Sequence, residues 1–374
     1  MAGLYIHIPF CASRCIYCGF YSTTLSDLQN RYTDALCQEM KLRKEMGEDS
    51  SHVETIYIGG GTPSQLSIEN LSKLFSTINH IYGKRPFTEI TMECNPDDLT
   101  PEYVEAISHL PINRISMGAQ TFDDQRLRFL HRRHTAEEVR LAVHRLRNAG
   151  ISNISIDLMF GFPHETLEDW EKDIDAALSL DVEHISAYSL MIEEDTPLYH
   201  MFEKSQETLS IDEELSLQMY ETLINRLTAA GFEHYEISNF ARHGFRSRHN
   251  SNYWNATPYI GIGAAAHSYD LSSRQWNISN IHSYIEAIEQ GKIPCEREIL
   301  DADTHYNDLV TTALRTREGI ALSRLDNKYR EHLLHYAEPH IQNGTLCIDK
   351  QHIHLTRKGL FVSDDIMSDL IYIE

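Results

Sequence analysis

The chain has 374 residues, room for one large domain and a smaller one with ample core. Its 41% hydrophobic and 24% charged content is that of an ordinary globular protein, and no apolar run approaches the roughly 20 residues of a membrane-spanning helix. A net charge of −22 argues against nucleic acid as a partner, because so acidic a surface repels phosphate.

The first expected strand, Leu4 to Ile8, alternates in the strand manner and runs through Pro9 into Cys11, Cys15 and Cys18, spaced C-x3-C-x2-C. A chain that enters a strand at once is expected to leave no room for a signal peptide. Seven cysteines, an odd number with three bunched, fit a reducing compartment better than a disulfide framework, so a cytoplasmic location is expected. Three thiolates on a short loop suit three irons of a cubane iron–sulfur cluster, with the fourth iron open to a substrate or cofactor. The same spacing also fits buried cysteines on one helix face. Zinc is a further alternative, although no fourth ligand lies nearby to close its tetrahedron. Pro9 and Gly19 bracket the run and favour a loop. Cys37, Cys94, Cys295 and Cys347 are scattered singly and read as structural.

An amphipathic helix is expected from Asp27 to Glu48, then a strand from Glu54 to Ile58 ending in Gly59-Gly-Gly-Thr-Pro-Ser64. A helix from Ile68 to Tyr82 leads to a strand from Glu89 that ends in Cys94-Asn-Pro96, and Thr100-Pro101 suits a helix start. Next come a strand from Arg114 to Gly118, helices from Asp123 to Leu130 and Thr135 to Ala149, and a strand from Asn153 to Gly161. A helix from Leu167 to Leu180 and a sixth strand from His184 to Met191 complete the alternation. Strand–helix repetition of this kind implies βαβ units and a parallel sheet, either an incompletely closed barrel or an open doubly wound sheet. In both, sites gather at the C-terminal ends of the strands.

A helix from Ile211 to Ala230 precedes an irregular, aromatic-rich and histidine-rich region from Phe232 to Ser268, then a short helix from Ile281 to Gln290. Residues from Asp301 onward read as a helical module with a β-ribbon from Thr345 to Leu355, in the order of a winged helix but without a dense basic face. The expected division is thus 1–230, an irregular extension at 231–300, and a C-terminal module at 301–374.

The cysteine motif, with Tyr5-Ile-His-Ile-Pro-Phe10 before it, resembles the radical S-adenosylmethionine (SAM) superfamily, and within it the branch holding oxygen-independent coproporphyrinogen III oxidases and the HemW heme chaperones. The resemblance implies an α/β fold, a partial (β/α)6 TIM-like barrel followed by the C-terminal module, and a [4Fe-4S] cluster on Cys11, Cys15 and Cys18 whose open iron chelates SAM. Consecutive glycines let a ligand approach the backbone, and Gly61 and Thr62 match the motif that cradles the methionine end of SAM. Glu93, in a stretch similar to the family's Glu-x-Asn-Pro signature, is expected to meet the SAM amine or ribose. Gln120, Arg132, Tyr5 and Tyr17 match family positions at the cofactor. Asp157 matches one that binds ribose hydroxyls, and a charged residue in an apolar strand needs some partner in any case.

Two features bear on the branch. The oxidases continue the motif with a cysteine where this chain has Phe20, and they carry a longer segment before it than the ten residues preceding Cys11. Arg248-His-Asn-Ser-Asn-Tyr-Trp254 matches the HNxxYW motif of the heme chaperones. An imidazole can ligate heme iron, which makes His249 the expected axial ligand and His267 a lesser candidate. Tyr253 and Trp254 offer flat faces to the porphyrin, and Asn250 a partner for the imidazole or a propionate. The reading is a heme chaperone that passes heme to hemoproteins. Homodimerisation and peripheral membrane contact are implied by resemblance, and coproporphyrinogen III oxidase activity is the alternative. Radical modification of RNA or protein is a third class, its RNA form disfavoured by the acidic balance.

Overall fold

The structure, a computed structural model, describes residues 2–47, 53–83, 86–204 and 212–373. Glu48 and Ile211, where two expected helices would end and begin, lie outside the described residues. Strands β1 (Ala2–Ile8), β2 (Val53–Gly60), β3 (Glu89–Cys94), β4 (Arg114–Gln120), β5 (Ile154–Phe160) and β6 (His184–Ser189) pair in parallel and in sequence order. Helices α1 (Gln29–Glu45), α2 (Ile68–Tyr82), α3 (Pro101–Ser108), α4 (Asp124–Phe129), α5 (Ala136–Asn148) and α6 (Leu167–Ser179) form the connections. Their starts are written locally. Ser67, Thr100, Asp123, Thr135 and Thr166 cap helix N-termini through their side chains, and Thr135 and Thr166 do so within capping boxes.

Strand alternation sorts the two faces of this sheet. Leu4, Ile6, Ile8, Ile56, Ile58, Ile90, Met92, Ile115, Met117, Ile156 and Leu158 share one continuous core with α1, α2, α5 and α6. The intervening positions form the other face, in register rows. Gly3, Thr55 and Glu89 make the first row, Tyr5, Tyr57, Thr91 and Arg114 the next. Glu93, Ser116, Ser155 and His184 lie above, then Gly118, Asp157 and Ser186. This inner face is polar and largely buried, which calls for partners inside the molecule.

Among the described residues the sheet runs on at both edges. After α7 (Pro197–Lys204) and α8 (Glu213–Ala229), β7 (Glu233–Glu236) and β8 (Asn239–Ala241) extend the β6 edge with antiparallel pairing. Helix α9 (Arg248–Trp254) leads to β9 (Tyr259–Ile262), which pairs in parallel with β1, and β10 (His267–Tyr269), β11 (Ser273–Asn277) and β12 (Cys295–Ile299) continue outward, with α10 (Ile281–Glu289) packed on α1. The region expected to be irregular is therefore sheet and helix. Its strands run from three to five residues, too short to show a period, and they exist because β1 and β6 present open edges.

The C-terminal module consists of α11 (Ala302–Ala313), β13 (Ile320–Ala321), α12 (Asn327–Gln342), β14 (Leu346–Asp349), β15 (His352–Leu355) and α13 (Ser363–Leu370). It has its own core around Tyr306, Val310, Leu333, Ile353 and Ile366. Backbone hydrogen bonds from Ile237 N–H to the Arg315 carbonyl and from Arg317 N–H to the Tyr235 carbonyl stitch it to β7.

Candidate functional site

The C-terminal ends of β1 to β5 surround the cysteine loop. Strand β1 delivers the chain to Pro9, and the loop returns through hydrogen bonds of Thr23 N–H to the Pro9 carbonyl and Cys11 N–H to the Thr23 carbonyl. Cys11, Cys15 and Cys18 are free and partly buried. Burial raises the Cys11 and Cys18 thiols, and their neighbouring thiols add to it. The loop is not helical, so the helix-face reading of the cysteine spacing does not apply.

Cys11 and Cys15 each have a side-chain companion from elsewhere in the chain. Thr62 Oγ1 donates to the Cys11 sulfur at 3.4 Å, and Arg132 Nη1 to the Cys15 sulfur at 3.5 Å. Gly61 passes so close that a Cβ there would lie 3.0 Å from the Cys11 sulfur. Arg132 is held by the Gly118 carbonyl at 2.6 Å and the Asn95 side-chain oxygen at 2.8 Å, whereas Arg133 turns outward to Asp97 and Asp98. Of two adjacent arginines, one therefore belongs to the site and one to the surface. Tyr17 packs on the small core of Ile16, Leu130 and Phe162 beside the loop. Donors aimed at thiolate sulfur and a Cβ-free approach fit an iron–sulfur cluster on three cysteines.

Below the loop, the inner face carries acid. Glu93 accepts from Tyr57 OH at 2.8 Å and from Gly60 N–H at 3.0 Å. Burial, reinforced by Asp157, still pushes its carboxyl up to about 7. Burial likewise raises Asp157, against the hydrogen bonds of Ser186 and Ser116. Two carboxyls raised by burial on this face suit a cationic ligand that would favour their ionised forms, as SAM would. Gln120 ends β4 at a bulge with φ of 66°, its side-chain nitrogen beside Gly118. Tyr5 stacks on Tyr57 with ring centroids 6.2 Å apart and bonds His7 at 3.0 Å. Of the expected SAM residues, Gly61, Thr62 and Arg132 meet the cysteine loop, Tyr5, Glu93 and Asp157 stand on the inner face, Gln120 lies beside Gly118, and Tyr17 packs in the small core beside the loop.

Sequence reasoning missed four residues here. Tyr57 and Asn95 hold Glu93 and Arg132, and a strand alternation naming inner positions would have pointed to Tyr57. His7 spans from Tyr5 to the Tyr21 carbonyl, which it meets at 3.0 Å, tying β1 to the cysteine loop. Arg114 is buried on the inner face and is a positive charge shared by Glu93 and Asp157, with Arg132 also acting on Asp157.

The HNxxYW stretch lies at the other end of the strands. His249 sits beside Gly3 and Thr55, in the first register row, about 16 Å from the row of Ile8 and Gly60 at roughly 3.3 Å per residue. It is not on a loop but on α9, 1% exposed. Its Nδ1 meets Thr55 Oγ1 at 3.0 Å and its Nε2 meets Tyr253 OH at 2.9 Å. Burial drives its pKa down to about 3, so the ring is neutral and both nitrogens are engaged. Tyr253 packs edge-on against Tyr259 at 4.7 Å, and Trp254 lies under the Arg315 guanidinium at 5.0 Å. The backbone N–H of Asn250 bonds the capping Ser247. His267 is exposed on β10, stacked against Trp276. Iron reaches His249 only if α9 releases the ring.

Comparison with known proteins places these features in context. Residues 5–177 match the family model described as Radical SAM superfamily, and residues 300–362 that described as HemN C-terminal domain. The chain is 35% identical over 373 residues to the heme chaperone HemW of Bacillus subtilis, covering 98% of each. It is 33% identical to the heme chaperone HemW of Lactococcus lactis, covering 98% of this chain and 96% of that one. Among solved structures, the coproporphyrinogen III oxidase HemN of Escherichia coli superposes with a TM-score of 0.85 at 22% identity, covering 99% of this chain and 90% of that one, a likeness of fold.

Proposed function

The chain belongs to the HemW family within the radical SAM superfamily, and from that membership we propose that it binds heme and delivers it to hemoproteins while carrying a SAM-coordinating [4Fe-4S] cluster. The observation that carries this reading is the near-full-length identity to heme chaperones in a chain whose cysteine motif is followed by Phe20.

Cys11, Cys15 and Cys18 hold the cluster, with Thr62 and Arg132 donating to its sulfur ligands. Gly61 lets the methionine end of SAM approach, Glu93 takes the amine, Asp157 the ribose, and Gln120, Tyr5 and Tyr17 close the walls. The cluster, if bound on these cysteines, would supply one-electron chemistry to SAM. The protein's part is to hold SAM in place and keep water out. The HNxxYW residues His249, Asn250, Tyr253 and Trp254 enter as heme contacts with α9 displaced.

The same reading takes 1–230 as the barrel, 231–300 as its extension and 301–374 as the partner module, in a cytoplasmic protein. Homodimerisation, peripheral membrane contact with recipients and indifference to nucleic acid belong to it as well. No helix among the described residues is long and apolar enough to cross a membrane.

Two assays on one anaerobic, cluster-reconstituted preparation test the function. Hemin titration should give stoichiometric binding with a distinct Soret band, and coproporphyrinogen III with SAM and reductant should give no vinyl product. Turnover without heme binding would move the chain to the oxidase reading.

A further inference from the structure

Arg114 opens β4 on the inner face of the sheet and is 1% exposed, yet its Nε and Nη1 have no hydrogen-bond partner. Thr91 stands beside it in register, wholly buried, and its hydroxyl is unpartnered as well. A buried guanidinium whose N–H groups meet no acceptor is strongly destabilising, so its acceptor is expected to come from a ligand.

The neighbouring groups are committed elsewhere. Tyr5 OH bonds His7, Tyr57 OH donates to Glu93, and Asp157 accepts from Ser116. Glu93 and Asp157 feel the Arg114 charge, but neither meets its Nε or Nη1. What is left unspent is guanidinium donors and one hydroxyl, a set that suits the acceptor oxygens of an anion, and the planar fork of arginine suits a carboxylate. We propose that Arg114, with Thr91 beside it, is a carboxylate site that takes a propionate of the heme, an inference that rests on the heme reading above.

Helix α9 lies against the neighbouring row of the same face. The backbone N–H groups of Arg248 and His249 bond Glu89, and the side chains of His249 and Asn252 meet Thr55. Thr55 and Glu89 form one register row, and Tyr57, Thr91 and Arg114 form the next, two residues or about 7 Å further along the strands. The displacement of α9 that frees His249 for iron therefore also opens the way to Arg114. The two are already close, since the Arg114 charge helps burial to hold the His249 ring neutral. The Tyr57 ring lies 5.2 Å from that of His249 and offers a flat wall on the way. The macrocycle stays with the aromatic residues of α9, and only its acid arm meets the polar interior.

The test is titration of the full-length, cluster-reconstituted protein with hemin and with hemin dimethyl ester, whose propionates are masked, in wild type, Arg114→Met and Thr91→Val. Wild type should bind hemin about tenfold or more tightly than the ester, and Thr91→Val should narrow that preference. Arg114→Met should bind both alike and keep the wild-type Soret band and low-spin ferric EPR, because the iron ligand is untouched. Equal affinity of wild type for the two ligands overturns the proposal, leaves Arg114 to the Glu89 that α9 releases, and keeps the heme reading intact. A preference that survives Arg114→Met overturns it as well. Acetate at constant ionic strength probes for a free acid. If it raises the melting temperature of wild type but not of Arg114→Met, while hemin and ester bind alike, the site belongs to a free carboxylic acid and the propionate assignment falls. Absence of stoichiometric hemin binding in wild type removes the heme reading and the propionate with it. The two-ligand comparison in wild type needs no variant, so it decides the matter whether or not Arg114→Met folds.

Discussion

A Cβ on Gly61 would sit 2.8 Å from the Pro9 carbonyl carbon and 3.0 Å from the Cys11 sulfur, so backbone would have to yield before any side chain could. Gly61→Ala should fold, yet bind iron poorly after reconstitution, with the [4Fe-4S]+ EPR signal falling by more than half; full iron content would remove this account of the loop. His249 poses a different case, since its two ring bonds are structural as the molecule stands. Replacing it by Gln should destabilise the protein by about 1–3 kcal/mol at pH 7.5 in urea melts. The sign reverses in acid. The folded ring titrates at about 3 and the unfolded one at the ordinary 6.5. Wild type therefore loses stability as pH falls through that window, by about 1.4 kcal/mol per unit, and the Gln variant does not. The gap between them should close near pH 5. A gap that does not change with pH would mean that His249 titrates in the fold as it does in the unfolded chain.

At the scale of the element, α9 shows why some structure escapes a sequence reading. It has seven residues, too few for a helical period to declare itself, and its start is secured from far away in the chain. The Glu89 carboxylate on β3 accepts the backbone N–H of Arg248 at 2.7 Å and of His249 at 2.9 Å, where the helix end carries partial positive charge. Glu89→Ala should lower stability by about 2–3 kcal/mol and speed amide exchange across 248–254 selectively; uniform exchange would argue against a local cap. The long strands and helices were legible for the opposite reason. Residues 4–8, 54–58 and 89–94 alternate over enough positions to declare two faces, and capping Thr or Ser residues mark helix starts in the chain itself.

Across the whole molecule, the outer sheet strands and the main core meet at one buried ion pair. Glu39 on α1 pairs with Arg43 at 2.8 Å, both essentially unexposed. The same carboxylate accepts from Tyr284 OH at 2.6 Å, Gly263 N–H at 2.8 Å and Asn277 at 2.8 Å, which brings α10, β11 and the turn after β9 onto α1. Glu39→Ala takes the carboxylate from a buried guanidinium and should cost about 3–5 kcal/mol. Because Tyr32 beside it bonds the His7 carbonyl, cluster retention should fall with stability, and native gels or melts showing neither effect would sink the coupling.

Local sequence by itself determined the alternation of strand and helix, the cysteine spacing and the glycine that must accompany it, because each depends on neighbours within a few residues. Family likeness carried the SAM residues. Only the tertiary structure decided that β9 would pair with the open edge of β1, that Tyr57 and Asn95 would hold Glu93 and Arg132, and that His249 would be sealed at the end of the strands opposite the cysteine loop. The physical reason is range: a period is written along the chain, whereas burial and the partners of a polar group are set by whatever distant segment packs against it.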